Sequence, residues 1–153
     1  KADVSVATRG ERAGNAAFEE VGVAGQTDRG DACGVRTEER VPGCREVLDV
    51  FGEEVQPRKA VLGTEVTEHE SGIHTVAMLD EPTVFEPYDP SDFGGQRRLL
   101  FGAGTGRTGA RKLLVRADVE PTDERVIKYL DALGEHGPIK TDEAVALARE
   151  RFA

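Results

Sequence analysis

Tryptophan is absent from this chain, methionine occurs once, and lysine occurs only five times in 153 residues. With 5% aromatic residues, any core it builds must be aliphatic, and one modest core or part of a larger enzyme is what the length allows. No apolar run approaches the ~18 residues that cross a bilayer, and no charged-then-apolar segment opens the chain, so the sequence predicts no membrane association. Cysteine is scarce too. Cys33 and Cys44 stand at neither a metal-knuckle spacing nor a disulfide framework, which predicts reduced spectator thiols and a cytoplasmic compartment. Basic residues are outnumbered 29 to 20, a net charge of −9, and such a surface repels phosphate backbones, so nucleic acid is excluded as a partner. Few lysines among many carboxylates is the surface of a halophile's protein, hydrated in a salty cytosol; the plain alternative is an ordinary acidic protein.

Periodicity then orders the chain. ADVSVAT (2–8) reads as a short strand running into the glycine-bearing loop RGERAGN (9–15). NAAFEEVGVAG (15–25) reads as a helix with Ala17, Phe18, Val21 and Ala24 on one face and Asn15 as its N-cap. Residues 26–36 are polar and glycine-rich, hence a loop, and REVLDVFG (45–52) gives a short helix through Val47, Leu48 and Phe51. From Pro57 to Phe101 the prolines Pro82, Pro87 and Pro90 are too close for a regular helix, which predicts an irregular connection. ARKLLVRA (110–117), DERVIKYLDAL (123–133) and DEAVALARERF (142–152) read as three helices, the last two capped by Thr122 and Thr141. One strand without a partner does not close a sheet, so the inventory reads as an α/β piece of a larger domain.

Three motifs carry possible chemistry. HESGIH (69–74) places His69 and His74 at i and i+5, about 140° apart around a helix, whereas a zinc-protease helix needs i and i+4. Ser71 lacks both a GxSxG elbow and a visible acid. GTGRTGA (104–110) matches GxGxxGA and follows an apolar run, but the stretch after it, RADVEPTDER, is not the second strand a dinucleotide fold requires; a glycine-rich approach to a helix is the plainer reading. GERAGN (10–15) sets Glu11, Arg12 and Asn15 just after a strand, where barrel enzymes keep their chemistry; alternatively Asn15 merely caps a helix and Glu11 pairs with Arg12 in water.

Taken in order, GERAGN (10–15), KAVLGTEVTEHESGIH (59–74), PTVFEPYDPSDFGG (82–95) and FGAGTGRTGARKLL (101–114) resemble the C-terminal portion of the 2-isopropylmalate synthase / homocitrate synthase family over nearly the whole chain. The resemblance implies a TIM barrel followed by two small subdomains that reach over the partner's barrel in a domain-swapped homodimer. Residues 1–58 are then the last barrel strand, its helix and the exit, 59–101 an irregular connecting subdomain carrying HESGIH, and 102–153 a small helical subdomain. The family's metal aspartate, neighbouring arginine, general-base glutamate and two-histidine metal motif would lie upstream of Lys1, so the chain is expected to be a fragment that is inactive alone.

The same resemblance implies condensation of acetyl-CoA with a 2-oxo acid around a divalent metal, zinc, manganese or magnesium. Asn15 matches the asparagine at the metal's edge, and His74 matches the histidine inserted into the partner's active site; His69 is then local scaffolding. HESGIH is thus expected to be a turn presenting one histidine. Two departures stand out. Phe85 replaces the tyrosine that lies eleven residues after that histidine, with Tyr88 as the candidate replacement hydroxyl, and Thr8-Arg9-Gly10 stands where the family commonly carries two glycines. Without a leucine-binding extension after residue 153, a homocitrate-synthase-like acyltransferase is favoured. The alternatives are a noncatalytic dimerisation or regulatory module, for which Phe85 speaks, and a nucleotide-binding domain using Gly104–Gly109.

Overall fold

The computed structural model describes residues 2–11, 14–30 and 34–152, with the side chain of Arg29 omitted. Two compact units interleave along the chain, Lys1–Thr67 with Pro87–Arg97 and Glu68–Glu86 with Arg98–Ala153. The three successive segments ending at 58, 101 and 153 do not follow this division.

In the first unit, β1 (Val4–Ser5) and β2 (Ala16–Ala17) pair in parallel, Val4 opposite Ala16 and Ser5 opposite Ala17. The predicted strand over 2–8 is therefore cut short, and it does find a partner. Its end is a 3-10 turn, Val6–Thr8, in which Ala7 and Thr8 take φ of 49° and 61°. Helix α1 (Phe18–Arg29) follows β2 directly, with Glu19 and Glu20 in its first turn, where the helix dipole favours carboxylates. Ala17 occupies the N-cap position, so the expected cap at Asn15 is corrected: Ala16 and Ala17 are held extended by the ladder to β1, which pushes the helix start beyond them. The helix also runs through Arg29, into the predicted 26–36 loop, and stops at Gly30 in the left-handed region. Ala17 is buried and Phe18 packs against the core as predicted, but Val23 turns inward while Val21 and Ala24 face out. Helix α2 (Arg40–Val50) begins five residues before the predicted 45–52 helix; Pro42 falls in its first turn, where no N–H is needed for the helical ladder. Val23, Val41, Cys44, Leu48, Leu62 and Phe93 make this unit's core, with Val47 and Phe51 left largely outside it.

The second unit is a three-stranded sheet under helices. β3 (Glu68–His69) pairs in parallel with β4 (Arg98–Phe101), and β4 pairs antiparallel with β5 (Ile139–Lys140). Helix α3 (Gly72–Met78) and β3 both fall inside the region predicted to be irregular. After β4 come α4 (Arg107–Arg116), α5 (Asp123–His136) and, beyond β5, α6 (Thr141–Phe152), close to the three predicted helices. Their inward stripes explain the packing: Ala110, Leu113 and Leu114 on α4, Val126, Tyr129 and Leu133 on α5, Ala144 and Ala148 on α6, all essentially without solvent exposure. Each leucine so buried contributes about 1.5–3 kcal/mol. Thr122 caps α5 as expected, its side chain accepting the Arg125 N–H at 3.3 Å. Thr141 instead begins α6, and the N–H of Lys140 before it donates to Glu143 at 2.9 Å.

Candidate functional site

HESGIH is not a turn but the join between a strand and a helix. Glu68 and His69 are fixed opposite Arg98 and Leu99 on β4, and Arg98 also grips the Glu68 carboxylate at 2.9 Å. The Ser71 carbonyl accepts the Thr75 N–H at 2.9 Å, and the buried Thr75 hydroxyl donates back to it at 3.2 Å, so α3 is nucleated on this residue. Gly72 is required by close approach: a Cβ there would sit 2.5 Å from the Gly104 carbonyl oxygen. The glycine loop 104–106 is thereby a floor for the first turn of α3, and a cleft of about 450 Å³ opens between them, lined by Ser71, Ile73, Val76 and Arg107 among others.

His74 is the third residue of α3 and is half-buried. Its ring lies on that of Phe85, centroids 4.1 Å apart and tilted by 32°, with the His69 ring edge-on at 6.4 Å. His69 in turn brings Nε2 to 3.8 Å from the Glu86 carboxylate, whose side chain is almost wholly covered. The imidazole of His74 is thus walled by an aromatic ring and a second imidazole, while Ile73 beside it is 80% exposed. Among the described residues no three His, Cys, Asp or Glu side chains converge as a metal set. The strand–glycine loop–helix run from β4 to α4 is real, but α4 leads into α5 and not into a second parallel strand, which removes the nucleotide reading.

The first unit holds the other candidates. Asn15 is exposed, three residues ahead of α1, and Glu11 is exposed on the same loop; Arg12, the expected partner of Glu11, lies outside the described residues. Gly14, at φ 67°, cannot carry a Cβ without striking the Thr8 carbonyl oxygen, so the backbones of Thr8 and Gly14 lie directly against each other. An open polar cleft of about 570 Å³ is lined by Ala7, Thr8, Arg9, Gly10, Glu11 and Glu53. Arg9 pairs with Glu53 and rests over the Phe51 ring, 3.8 Å from its centroid. As to a metal, Asn15 offers one exposed carboxamide oxygen, a hard and weak donor suited to an edge position. It fits as a supplementary ligand and needs stronger ones from elsewhere.

Tyr88 belongs to this unit, half-buried with its ring edge-on to Phe93 at 5.4 Å. Cys44 is a buried free thiol, pushed up to about 11 by burial and by the charge of Glu19; Cys33 lies outside the described residues. Among the described residues no helix is long and apolar enough to cross a membrane.

Sequence reasoning missed Glu19, Lys59 and Glu86. Glu19 is fully buried, accepts the Ala7 N–H at 3.0 Å and meets the Lys59 ammonium at 3.0 Å. Burial pulls that ammonium down, but its hydrogen bonds to Glu20 and Glu19 outweigh this and raise it overall. A carboxylate directly after Phe18 in the buried start of a helix was the available signal.

Comparison with known proteins agrees with the family resemblance. The profile of the Homocitrate synthase post-HMGL domain-like family matches residues 61–140. Homocitrate synthase AksA of Methanopyrus kandleri is 42% identical over 136 residues, 87% of this chain and 34% of that protein. Homocitrate synthase 1 of Nostoc sp. is 34% identical over 147 residues, 93% of the chain and 39% of the relative. The 2-isopropylmalate synthase of Nitratidesulfovibrio vulgaris is 32% identical over 137 residues, 87% and 27% respectively. The chain spans about a third of the length of these curated relatives. With a matching profile over half its residues and relatives of this identity across most of its length, the chain belongs to the 2-isopropylmalate synthase / homocitrate synthase family.

Proposed function

We propose that this chain is the C-terminal part of an acyltransferase that condenses acetyl-CoA with a 2-oxo acid, and that His74 serves the active site of a partner subunit in a domain-swapped homodimer. The observation that carries the reading is the half-buried imidazole of His74 on α3, stacked on Phe85 beside an exposed Ile73. Residues 1–58 act as the end of the TIM barrel, 59–101 as the connecting arm and 102–153 as the helical subdomain, within a cytoplasmic enzyme.

A divalent metal, when bound to the barrel, polarises the ketone of the 2-oxo acid as a Lewis acid. Asn15 lends a carboxamide oxygen at the edge of that site. His74 donates a hydrogen bond to the thioester oxygen of acetyl-CoA as a methyl proton leaves and the enolate forms, the position where charge develops and a fixed donor contributes most. Tyr88 supplies the hydroxyl that Phe85 lacks. A second reading has an observation of its own: with Phe85 covering His74 and no hydroxyl on that ring, the chain serves as a noncatalytic dimerisation or regulatory module.

Mixing subunits separates these. The chain is joined to the barrel encoded by its upstream reading frame, and His74→Ala and Asn15→Ala enzymes, each inactive, are unfolded and refolded together. Action in trans gives hybrid dimers with one intact site, and random pairing returns about a quarter of wild-type activity. No recovery overturns action in trans. Full activity of His74→Ala alone, or an upstream frame without metal ligands, favours the module.

A further inference from the structure

The loop that carries Asn15 is bent in a way its sequence does not favour. Ala7 and Thr8 are consecutive non-glycine residues at φ 49° and 61°, a backbone conformation that L side chains keep only where the surroundings impose it. What imposes it is visible. The Ala7 N–H donates to Glu19 Oε2 at 3.0 Å, and Glu19 is fully buried in the first turn of α1. One residue further on, the Thr8 carbonyl packs where Gly14 has no Cβ, and Asn15 follows Gly14 immediately. The other carboxylate oxygen meets Lys59 at 3.0 Å, and Lys59 also pairs with Glu20. Lys59 opens the segment 59–63, which is itself pinned by the Arg45 guanidinium on the Leu62 carbonyl at 2.6 and 3.2 Å.

From this geometry we infer that Glu19 is a positioning residue: its carboxylate holds the Ala7–Thr8 bend, and through it the loop bearing Asn15, while tying that loop to the root of the connecting arm at Lys59. A buried carboxylate is costly unless paired, and here one oxygen takes a backbone N–H while the other lies at ion-pair distance from an ammonium, so the group acts as a rivet between three stretches of chain. Glutamate suits this better than glutamine because both oxygens accept. The loop is thereby set before any ligand arrives, as supporting groups around a metal site are expected to do. The consequence for the metal rests on the proposed placement of Asn15 at the metal's edge; the consequence for the loop does not.

The test uses Glu19→Leu, which removes both contacts, and Glu19→Gln, which keeps an acceptor for Ala7 and retains the volume. Hydrogen exchange in the 153-residue chain reads the loop, and manganese binding to the protein containing the upstream barrel, followed by calorimetry, reads the site. Glu19→Leu is expected to speed amide exchange at Ala7 by tenfold or more, with α4–α6 unchanged, and to weaken manganese by ~10–100-fold. Glu19→Gln is expected to recover most of the Ala7 protection. Unchanged exchange at Ala7 in Glu19→Leu overturns the proposal, as does equal loss of protection across α4–α6, which marks general unfolding. Asn15→Ala keeps the two readings apart. If it leaves manganese binding intact, the placement of Asn15 fails while the loop result stands; if it weakens manganese and Glu19→Leu does not, the positioning role fails.

Discussion

Phe85→Tyr returns a hydroxyl to the position where the family pattern has tyrosine, and the structure sets what it should do. Phe85 ends the 3-10 turn Pro82–Val84 and is 39% exposed. Its ring lies 4.1 Å from that of His74, a contact tyrosine can make with the same carbons. The added oxygen therefore enters no closed core, and stability should change by less than about 0.5 kcal/mol. The effect on turnover is different in kind. A positioned proton donor or acceptor contributes ~10²–10⁴-fold where none exists, and less where a neighbour already substitutes. Since Tyr88 is the proposed substitute, a gain of roughly tenfold in kcat is expected, about 1.4 kcal/mol off the barrier, with KM nearly unchanged because the hydroxyl acts on a proton and not on binding. CoA release by this chain joined to the barrel of a family member, followed with a thiol reagent, measures both constants. Tyr88→Phe should lower kcat in the parent but not in the Phe85→Tyr background, where its hydroxyl is redundant. A Phe85→Tyr enzyme that folds normally and turns over no faster refutes the argument that a missing hydroxyl limits this site.

Other outcomes follow from single contacts. Gly72→Ala forces a methyl carbon against the Gly104 carbonyl oxygen, so α3 must lift; a loss of about 1–3 kcal/mol by urea unfolding and a changed ring-current shift of the His74 imidazole are expected, and unaltered shifts would refute the close approach. Thr8→Gly relieves a left-handed threonine at φ 61°, about 1–2 kcal/mol, against the roughly 0.5–1 kcal/mol that glycine's unfolded freedom costs, so the urea midpoint should hold or rise and never fall appreciably. The buried Cys44 thiol, raised from 9.0 to about 11, contributes stability that is fully present below pH 9 and is lost as pH climbs toward 11, because the unfolded chain ionises first; in a Cys33→Ser background the loss should reach about 2–3 kcal/mol and vanish in Cys44→Ala. Tyr129→Phe removes a buried hydroxyl that donates to the Ala144 carbonyl at 2.5 Å, which costs about 1 kcal/mol and lowers the thermal midpoint by roughly 2–4 °C, since a carbonyl within α6 keeps its helical partner.

Local signals and tertiary signals account for what could be read in advance. The helices α4, α5 and α6 were legible because each repeats small or aliphatic residues at three- and four-residue spacing and α5 opens on a capping threonine, information contained within a dozen residues. Helix α3 was not, because Gly72 lowers its propensity; only the approach of the Gly104 carbonyl, thirty-two residues away in sequence, makes glycine the residue that permits the helix. The start of α1 was misplaced for the same kind of reason. Asn15 is a good cap by type, but two extended alanines paired with Val4 and Ser5 intervene, and that pairing depends on the bend at Ala7–Thr8.

The candidate residues divide along the same line. His74 and Asn15 stand in motifs whose order along the chain carries the family resemblance, so they could be proposed without any coordinates. Glu19 and Lys59 are forty residues apart in the sequence and meet only once α1 and the segment at Lys59 are folded, and a sequence pattern sees two ordinary charges on what looks like surface. The Thr8-Arg9-Gly10 departure becomes intelligible at this point. Where the family commonly carries glycine the backbone here is left-handed, and a chain that places threonine in that conformation must hold it by other means. A buried acceptor for the neighbouring N–H is such a means. The two observations therefore predict a coupling: in a Thr8→Gly background the bend no longer needs imposing, and Glu19→Leu should cost less stability there than in the parent, by about 1 kcal/mol in a double-mutant cycle. Strict additivity of the two changes would show that Glu19 and the bend are independent, and the account of the loop would have to be abandoned.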